Sequence, residues 1–411
     1  MSNLLSPLSS DCPAGGSRSK LRSPALNGAR VKDDTLIHTA ENAVNPKTQV
    51  GSAKRLSFVL THDDHGGAER FWRDLAEAFQ QKDYAIERIT MYNLTGGTDW
   101  LPLHKKRVGV TGGLAILVKA ITHFRARCTH ATISALPAAN IVSAVAGFLS
   151  GTRFRIISHH SPTSTYNPLM RWVDRMVGST PIVSRIVCVS EGVKASLSQY
   201  PRAYRNKVVV IRNAITPALM EKLTAMKMAR RPSAGDGPLR LVAVGRLAEQ
   251  KNFETLIRAM ALVDDVVLTI VGDGPDRAML EDLADTSGVS TKIHFAGQLD
   301  HAEALTYLAA GEVFVQPSLY EGHSIALLEA AAVGLPLVVS DVPTQVEAVR
   351  LKDGTMCAEV FPVRNFAALA EVLQRLSQDR SRLRQLEESS SQLSEATSFA
   401  ELATCYDSLL S

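Results

Sequence analysis

The chain has 411 residues, of which 45% are hydrophobic and 21% charged; this is the profile of a soluble globular protein, and it excludes a single ordinary core. The net charge of +4 hides an asymmetry: residues 53–215 carry 22 Lys+Arg against 10 Asp+Glu, residues 216–411 carry 17 against 27, and residues 1–52 carry 6 against 4. Two halves of opposite sign imply different partners, the basic one suiting phosphates or an anionic membrane surface.

Residues 1–52 are rich in Ser, Pro, Asn and Gly and lack periodicity, so they read as a disordered extension with no signal-peptide apolar region. Order starts with a buried-type strand, 55–60, then a glycine turn and a helix over about 67–82. Strands recur near 86–92, 131–136, 154–158, 185–189 and 207–211, which predicts a parallel α/β sheet over a first domain, 53–228. The apolar stretch 131–150 is interrupted by Pro137, Asn140 and serines, so it reads as a strand and an Ala-rich helix, not a membrane span. Lys105, Lys106 and Arg107, then the stretch 114–124 with Lys119 in it and Arg125 and Arg127 just after it, suggest a basic amphipathic helix able to lie on anionic lipid, or an ordinary core-facing helix with a wet side. A Pro/Gly-rich linker, 229–238, precedes a second strand series at 239–244, 266–271, 292–296, 313–317 and 337–340. Helices over 253–260, 277–285, 302–309 and 324–332 separate these strands in a second domain, 239–395. The last residues, 396–411, form a terminal helix able to cross back to the first domain. Five cysteines, Cys12, Cys128, Cys188, Cys357 and Cys405, show no CxxC pair and read as reduced cytosolic thiols.

Two such units face each other across a cleft, and ligands of these sheets bind outside the strand C-termini. The candidate chemistry gathers at those ends. Glu321 and Glu329 stand eight residues apart in a segment otherwise small and apolar, where unpaired buried charge is costly. Eight residues of helix rise about 12 Å, a span matching an elongated, hydroxyl-rich ligand such as a nucleotide-sugar. Arg246 and Lys251, in Gly245-Arg-Leu-Ala-Glu-Gln-Lys-Asn252, can converge on a diphosphate. Gly272, in Val271-Gly-Asp-Gly-Pro275, suits either a close ligand approach or a plain turn. Gly66 and Gly67 open the first helix, whose N–H groups can receive phosphate or a sugar oxygen. The neighbouring His62, Asp63, Asp64 and His65 raise a metal reading, but consecutive residues rarely converge on one ion. His159 and His160 end a strand, and one of them can meet a sugar or act as a base. Glu347 fits the cap of a helix N-terminus.

Together these segments resemble the GT-B retaining glycosyltransferases of family 4. The resemblance covers residues 55 to about 400 and is strongest over 240–348, with GRLxxQKN, VGDGP, HFAG, PSxYEG, the paired glutamates and GLPLVVSD in order. It implies that Arg246 and Lys251 hold the donor diphosphate, Glu321 the transferred sugar and Glu329 the ribose. Gly66 and Gly67 would form the loop near the phosphate. Gly272, Gly322, His323 and Ser324 would line the donor site, and His160 matches the family's strand-end histidine better than His159. It further implies front-face transfer aided by the leaving phosphate, with no metal; the Asp264-Asp265 pair is no DxD. The chain departs from the pattern at Asn213-Ala214, His323-Ser324 and Arg364-Asn365.

The expected function is therefore hexosyl transfer from a UDP- or GDP-sugar to a hydroxyl of a glycan or lipid-linked acceptor, in bacterial exopolysaccharide or lipopolysaccharide synthesis. The expected location is cytoplasmic, at the inner face of the membrane, with anionic lipid as a contact and no nucleic-acid partner. The competing readings are a nucleotide-sugar-binding protein that has lost transfer and an epimerase on the same fold. A nicotinamide oxidoreductase is excluded by the lack of GxGxxG with a following ribose-binding acid.

Overall fold

The computed structural model describes residues 53–62, 67–82, 84–93, 100–104, 110–230 and 237–411. The expected extension 1–52, Gly66, Asp63 to His65, Lys105 to Arg107 and most of the linker lie outside the described residues.

Seven strands form the first sheet: β1 (Arg55–Leu60), β2 (Ala85–Tyr92), β3 (Leu101–His104), β4 (Ala131–Ala135), β5 (Phe154–His159), β6 (Arg185–Cys188) and β7 (Val208–Val210). Their spatial order is β3-β2-β1-β4-β5-β6-β7, and every pairing is parallel. The second sheet has six: β8 (Leu239–Val244), β9 (Val266–Val271), β10 (Ile293–Gly297), β11 (Val313–Gln316), β12 (Leu337–Ser340) and β13 (Glu359–Phe361). They lie in the order β10-β9-β8-β11-β12-β13, again parallel. In both sheets the chain winds outward from its first strand, returns to the middle and winds the other way. The resulting switch points, β1/β4 and β8/β11, are where such folds leave a crevice.

Alternation along the central strands fixes the layers. Leu56, Phe58 and Leu60 enter one core with Trp72 and Phe79, while Val59 faces Ile116 and Phe124 on the other side. Along β8, Leu241 and Ala243 pack with Leu256 and Ile270, and Val242 packs with Phe314 and Leu327. Burial on both faces explains the near-continuous apolar strands.

One helix joins the half that is distant in sequence, and another joins the half that follows it. The C-terminal helix Phe399–Ser408 buries Phe399, Leu402 and Tyr406 in the first core, beside Phe58 and Trp72. Tyr84 Oη fastens it by donating to Asp407 at 2.8 Å. Conversely, the helix Pro217–Ala229, which lies within residues 53–228 assigned to the first domain by sequence, packs in the second core. Its Leu219 and Leu223 sit in the second core with Leu328 and Leu335, because those are its apolar contacts. The strands β3 and β13 are additions to the sequence-based elements. No helix among the described residues is long and apolar enough to cross a membrane, and Cys128, Cys188, Cys357 and Cys405 are free thiols.

Candidate functional site

The loop after β8 and the loop after β11 meet at the second switch point, and side-chain amides stitch them together. Asn252, held at φ +54°, donates from Nδ2 to Pro317 O at 2.9 Å. Gln250 donates from Nε2 to Tyr320 O at 3.1 Å, and its backbone carbonyl accepts from Leu319 N at 2.8 Å. These bonds bring Lys251 and Glu321 into an ion pair, Nζ to Oε1 at 2.7 Å, with both side chains largely buried. Ser318 Oγ donates to the same oxygen at 2.7 Å, and no described group donates to Oε2. Gly245 is needed here: a Cβ on it would lie 2.8 Å from Lys251 Cε. Arg246 is exposed and has no ion-pair or hydrogen-bond partner among the described residues, so its guanidinium is free to take an anion.

The eight-residue spacing of the two glutamates is not a helical rise. The helix spans only Ile325–Ala332, so Glu329 is helical while Glu321 lies in the preceding loop. Nor is either acid unpaired. Glu329 Oε1 accepts from His301 Nε2 at 2.7 Å. His301 Nδ1 contacts Arg70 of the first half. Since a guanidinium can only donate, Nδ1 accepts and the proton resides on Nε2. Arg70, His301 and Glu329 thus form one polarised chain between the halves, and Arg70 also lies 3.8 Å from Asp74.

A buried relay supports Glu321 from behind. Ser324 Oγ donates to Gln316 Oε1 at 2.8 Å, Gln316 Nε2 to Gln345 Oε1 at 2.7 Å, and Gln345 Nε2 to Ser340 Oγ at 2.5 Å. Ser340 Oγ then donates to Ser318 O at 2.6 Å. Each buried donor has a partner, the condition under which such a network rigidifies a site instead of weakening it. Ser324 also accepts from Leu327 N at 3.3 Å as the helix cap. Its hydroxyl thus serves as both relay donor and helix cap.

Gly272 is likewise a packing residue. A Cβ there would fall 2.0 Å from Gly245 O, and its N–H donates to Gly297 O at 2.9 Å. It shapes the Arg246 loop and offers no free N–H. Gly322 permits contact between the halves, since its Cβ would lie 2.0 Å from His160 O. The next residue, His323, is buried; its carbonyl accepts from Asn213 Nδ2 at 2.8 Å across the same junction. Burial, then the Arg212 charge, push the His323 imidazole down to about 4 despite Glu347. Its Nδ1 has no hydrogen-bond partner among the described residues.

The strand-end histidines divide their roles. His159 is buried, bonded to Tyr166 Oη at 2.9 Å and Tyr204 Oη at 2.7 Å, with Asp174 at 3.7 Å. It belongs to the core. His160 bonds Ser158 Oγ at 3.1 Å and stands edge-on to Trp72. Burial, with His159 adding to it, pushes His160 down to about 3, so it is a neutral imidazole. Gly67 is the first residue of the helix Gly67–Gln80 after β1.

Glu347 caps the short helix Glu191–Ala195 of the first half, accepting from Glu191 N at 2.9 Å and Gly192 N at 2.8 Å. Arg212 adds a contact at 2.7 Å. Burial raises the carboxyl, but the two backbone donors and Arg212 outweigh it and hold it below the usual carboxylate value. Sequence reasoning found this cap but missed Gln250, Asn252, Gln316, Gln345 and His301. A capping box, Asp300 with Glu303, was the signal placing His301 at a helix start.

A model of the glycosyl transferases group 1 matches residues 227–393, and one of glycosyltransferase family 4 matches residues 65–219. The lipopolysaccharide core biosynthesis glycosyltransferase LpsE of Rhizobium meliloti is 34% identical over 153 residues, 37% of this chain and 43% of that protein. Glycogen synthase of Mycobacterium tuberculosis is 35% identical over 178 residues, 42% of this chain and 40% of that protein. The chain thus matches less than half the length of these curated relatives. Sucrose-phosphate synthase of Thermosynechococcus elongatus superposes with a TM-score of 0.71 at 19% identity, covering 87% of this chain and 98% of that one. Anabaena HepE in complex with UDP-glucose gives 0.70 at 15% identity, covering 87% and 99%. The paired parallel sheets, the matched family models and these superpositions agree: the chain belongs to the group 1, family 4 glycosyltransferases and has the GT-B fold.

Proposed function

We propose that the protein is a retaining hexosyltransferase, moving a sugar from UDP- or GDP-hexose to a hydroxyl of a lipid-linked glycan in bacterial lipopolysaccharide or exopolysaccharide synthesis. The observation that carries this reading is the Lys251–Glu321 pair at 2.7 Å, beside the exposed cation Arg246, which has no partner among the described residues. Two cations suit a diphosphate, and a carboxylate with a free oxygen suits sugar hydroxyls. The relatives' names, LpsE among them, and the basic first half support an acceptor in a cell-surface glycan made at the inner membrane face.

In this reading Lys251 and Arg246 neutralise the donor diphosphate without a metal, Glu321 orients the hexose and Glu329 accepts from the ribose. The acceptor hydroxyl oxygen bonds to the anomeric carbon on the face from which the nucleotide leaves. The bond from that carbon to the phosphate oxygen breaks, its electron pair stays on the phosphate, and the acceptor proton ends there. Lys251 and Arg246 stabilise the charge that grows on that phosphate, the kind of fixed-charge effect that dominates many transfer reactions. His160, neutral at physiological pH, serves as a hydrogen-bonding partner for the sugar and does not act as a cation.

Release of nucleoside diphosphate from UDP- and GDP-hexoses with pooled lipid-linked glycans tests the reading. Acceptor-dependent release with retained anomeric configuration supports it. Donor binding without transfer to any acceptor would replace it with a binding protein.

A further inference from the structure

Between Asp99 and Glu191 the chain has eleven Lys and Arg but a single acid, Asp174. That acid is 2% exposed and accepts from Tyr204 Oη at 2.8 Å, so it adds no negative charge to the surface. Three helices in this stretch, Val110–Ala126, Pro137–Ser150 and Pro168–Gly178, lead from β3 to β4, β4 to β5 and β5 to β6. All three crossovers run the same way along the sheet, so right-handed connections put them side by side on one face. The helix Pro137–Ser150 packs between the other two.

The outer side of this layer is apolar where a soluble face is ordinarily polar. Leu169, Trp172 and Met176 recur at helical spacing on one stripe and are 65%, 59% and 51% exposed. Leu114 and Val118 are 65% and 52% exposed on the first helix. Exposed apolar residues are ordinary singly, but an aligned run including tryptophan marks a contact surface. On the same two helices Lys119, Arg125, Arg171 and Arg175 are exposed. Glu87 of β2 meets the layer at His123 and Arg127, at 3.2 and 3.6 Å, where it is paired.

We propose that this three-helix face docks on an anionic lipid bilayer. The leucines, Val118, Trp172 and Met176 enter the boundary between headgroups and acyl chains, and the cations meet lipid phosphates. Charge selects this occupant. A uniformly negative surface repels every acid facing it, and the face has no unpaired acid among the described residues. Nucleic acid would give aliphatic Leu114, Val118 and Leu169 nothing to bury against. The helices start at the strand C-termini, on the crevice side of the sheet, so the docked layer carries the crevice rim alongside the bilayer; that this serves a membrane-held acceptor rests on the lipid-linked reading above.

Trp172 supplies its own probe, because the other two tryptophans, Trp72 and Trp100, are 1% and 3% exposed. The full chain is mixed with vesicles of phosphatidylcholine, or of phosphatidylcholine with one-third phosphatidylglycerol, and followed by co-sedimentation and tryptophan emission. We expect binding and a blue shift with the anionic vesicles only, at least tenfold weaker in 1 M salt. Trp172→Phe should abolish the shift while keeping sedimentation, and Leu169→Ser/Trp172→Ser should lose sedimentation with unchanged circular dichroism. Equal sedimentation of wild type with both vesicles, or no loss in the double variant, overturns the proposal. So does a dimer that the double variant abolishes in the absence of lipid. Transfer to a detergent-solubilised acceptor without vesicle binding overturns docking alone, and vesicle binding without any transfer overturns only the transferase reading.

Discussion

His301 Nε2 donates to Glu329 Oε1 at 2.7 Å, while the other ring nitrogen meets Arg70 of the facing half. The carboxylate proposed to accept from the ribose is therefore aimed by a residue 28 positions away and indirectly tied to the first sheet. A donor nucleotide would share this carboxylate with His301, so the chain from Arg70 links donor binding to the approach of the halves.

Replacing His301 with Ala removes a charge-assisted hydrogen bond worth about 1.5–3 kcal/mol. We expect the donor KM to rise about tenfold or more with kcat within about threefold. His301→Gln, which keeps a donor nitrogen, should recover part of the loss. A lower melting temperature with an unchanged KM would give His301 a purely structural role.

The Gly322 contact leads to a second expectation. A Cβ 2.0 Å from His160 O meets backbone, which cannot rotate away. Gly322→Ala should cost about 1–3 kcal/mol, as overpacking does, and should also lower turnover by parting Glu321 from the first half. Thermal unfolding and steady-state kinetics read the two effects.

Glu347 ties acid stability to the same junction. Its folded carboxyl titrates below the ordinary value of 4.5, so the native state binds the proton less readily than the unfolded chain. Its contribution is present above about pH 4.5 and is lost as pH falls through the lower folded value. Glu347→Gln should flatten the acid limb of stability against pH below about 4.5 in denaturant titrations. An unchanged limb would show that the cap on Glu191 and Gly192 contributes nothing.

His160 and His323 act in the opposite chemical sense, with the same outcome. Their folded values are pushed from 6.5 to about 3 and about 4, so the unfolded chain takes up protons first. Stability from these groups is full above about pH 6.5 and falls as pH drops toward the folded values. Activity should consequently show no ionisation near pH 6.5 from His160. A limb near that pH in kcat/KM that vanishes in His160→Asn would contradict the neutral imidazole.

Much of this organisation was readable because burial on both faces writes long apolar strands, and because loop motifs follow strands at fixed places. The parallel sheets, the Arg246–Lys251 loop and the paired glutamates all came from such signals. The strand Leu101–His104 did not, since it is short, contains Pro102 and sits at a sheet edge. Glu359–Phe361 is a three-residue edge strand with as little pattern. The helix Pro217–Ala229 has no sequence mark for which core it joins; that depends on long-range contacts. His159 and His160 are adjacent and alike in sequence, and only the tertiary contacts of His159 with Tyr166, Asp174 and Tyr204 separate it from its neighbour. Gln250 and Asn252 look like loop polarity until their carbonyl partners at Tyr320 and Pro317 are in place.

The central claim is that Lys251 and Glu321 act as one charged unit in sugar transfer, and acceptor-dependent release of nucleoside diphosphate by Lys251→Ala and Glu321→Gln tests it most directly. Loss of a charge aimed at the leaving group or sugar predicts turnover lower by about 100- to 1000-fold in each variant, with the folded structure retained. The double variant should be little worse than either single one, because residues acting as a unit are not additive. Full turnover in both single variants would contradict the account.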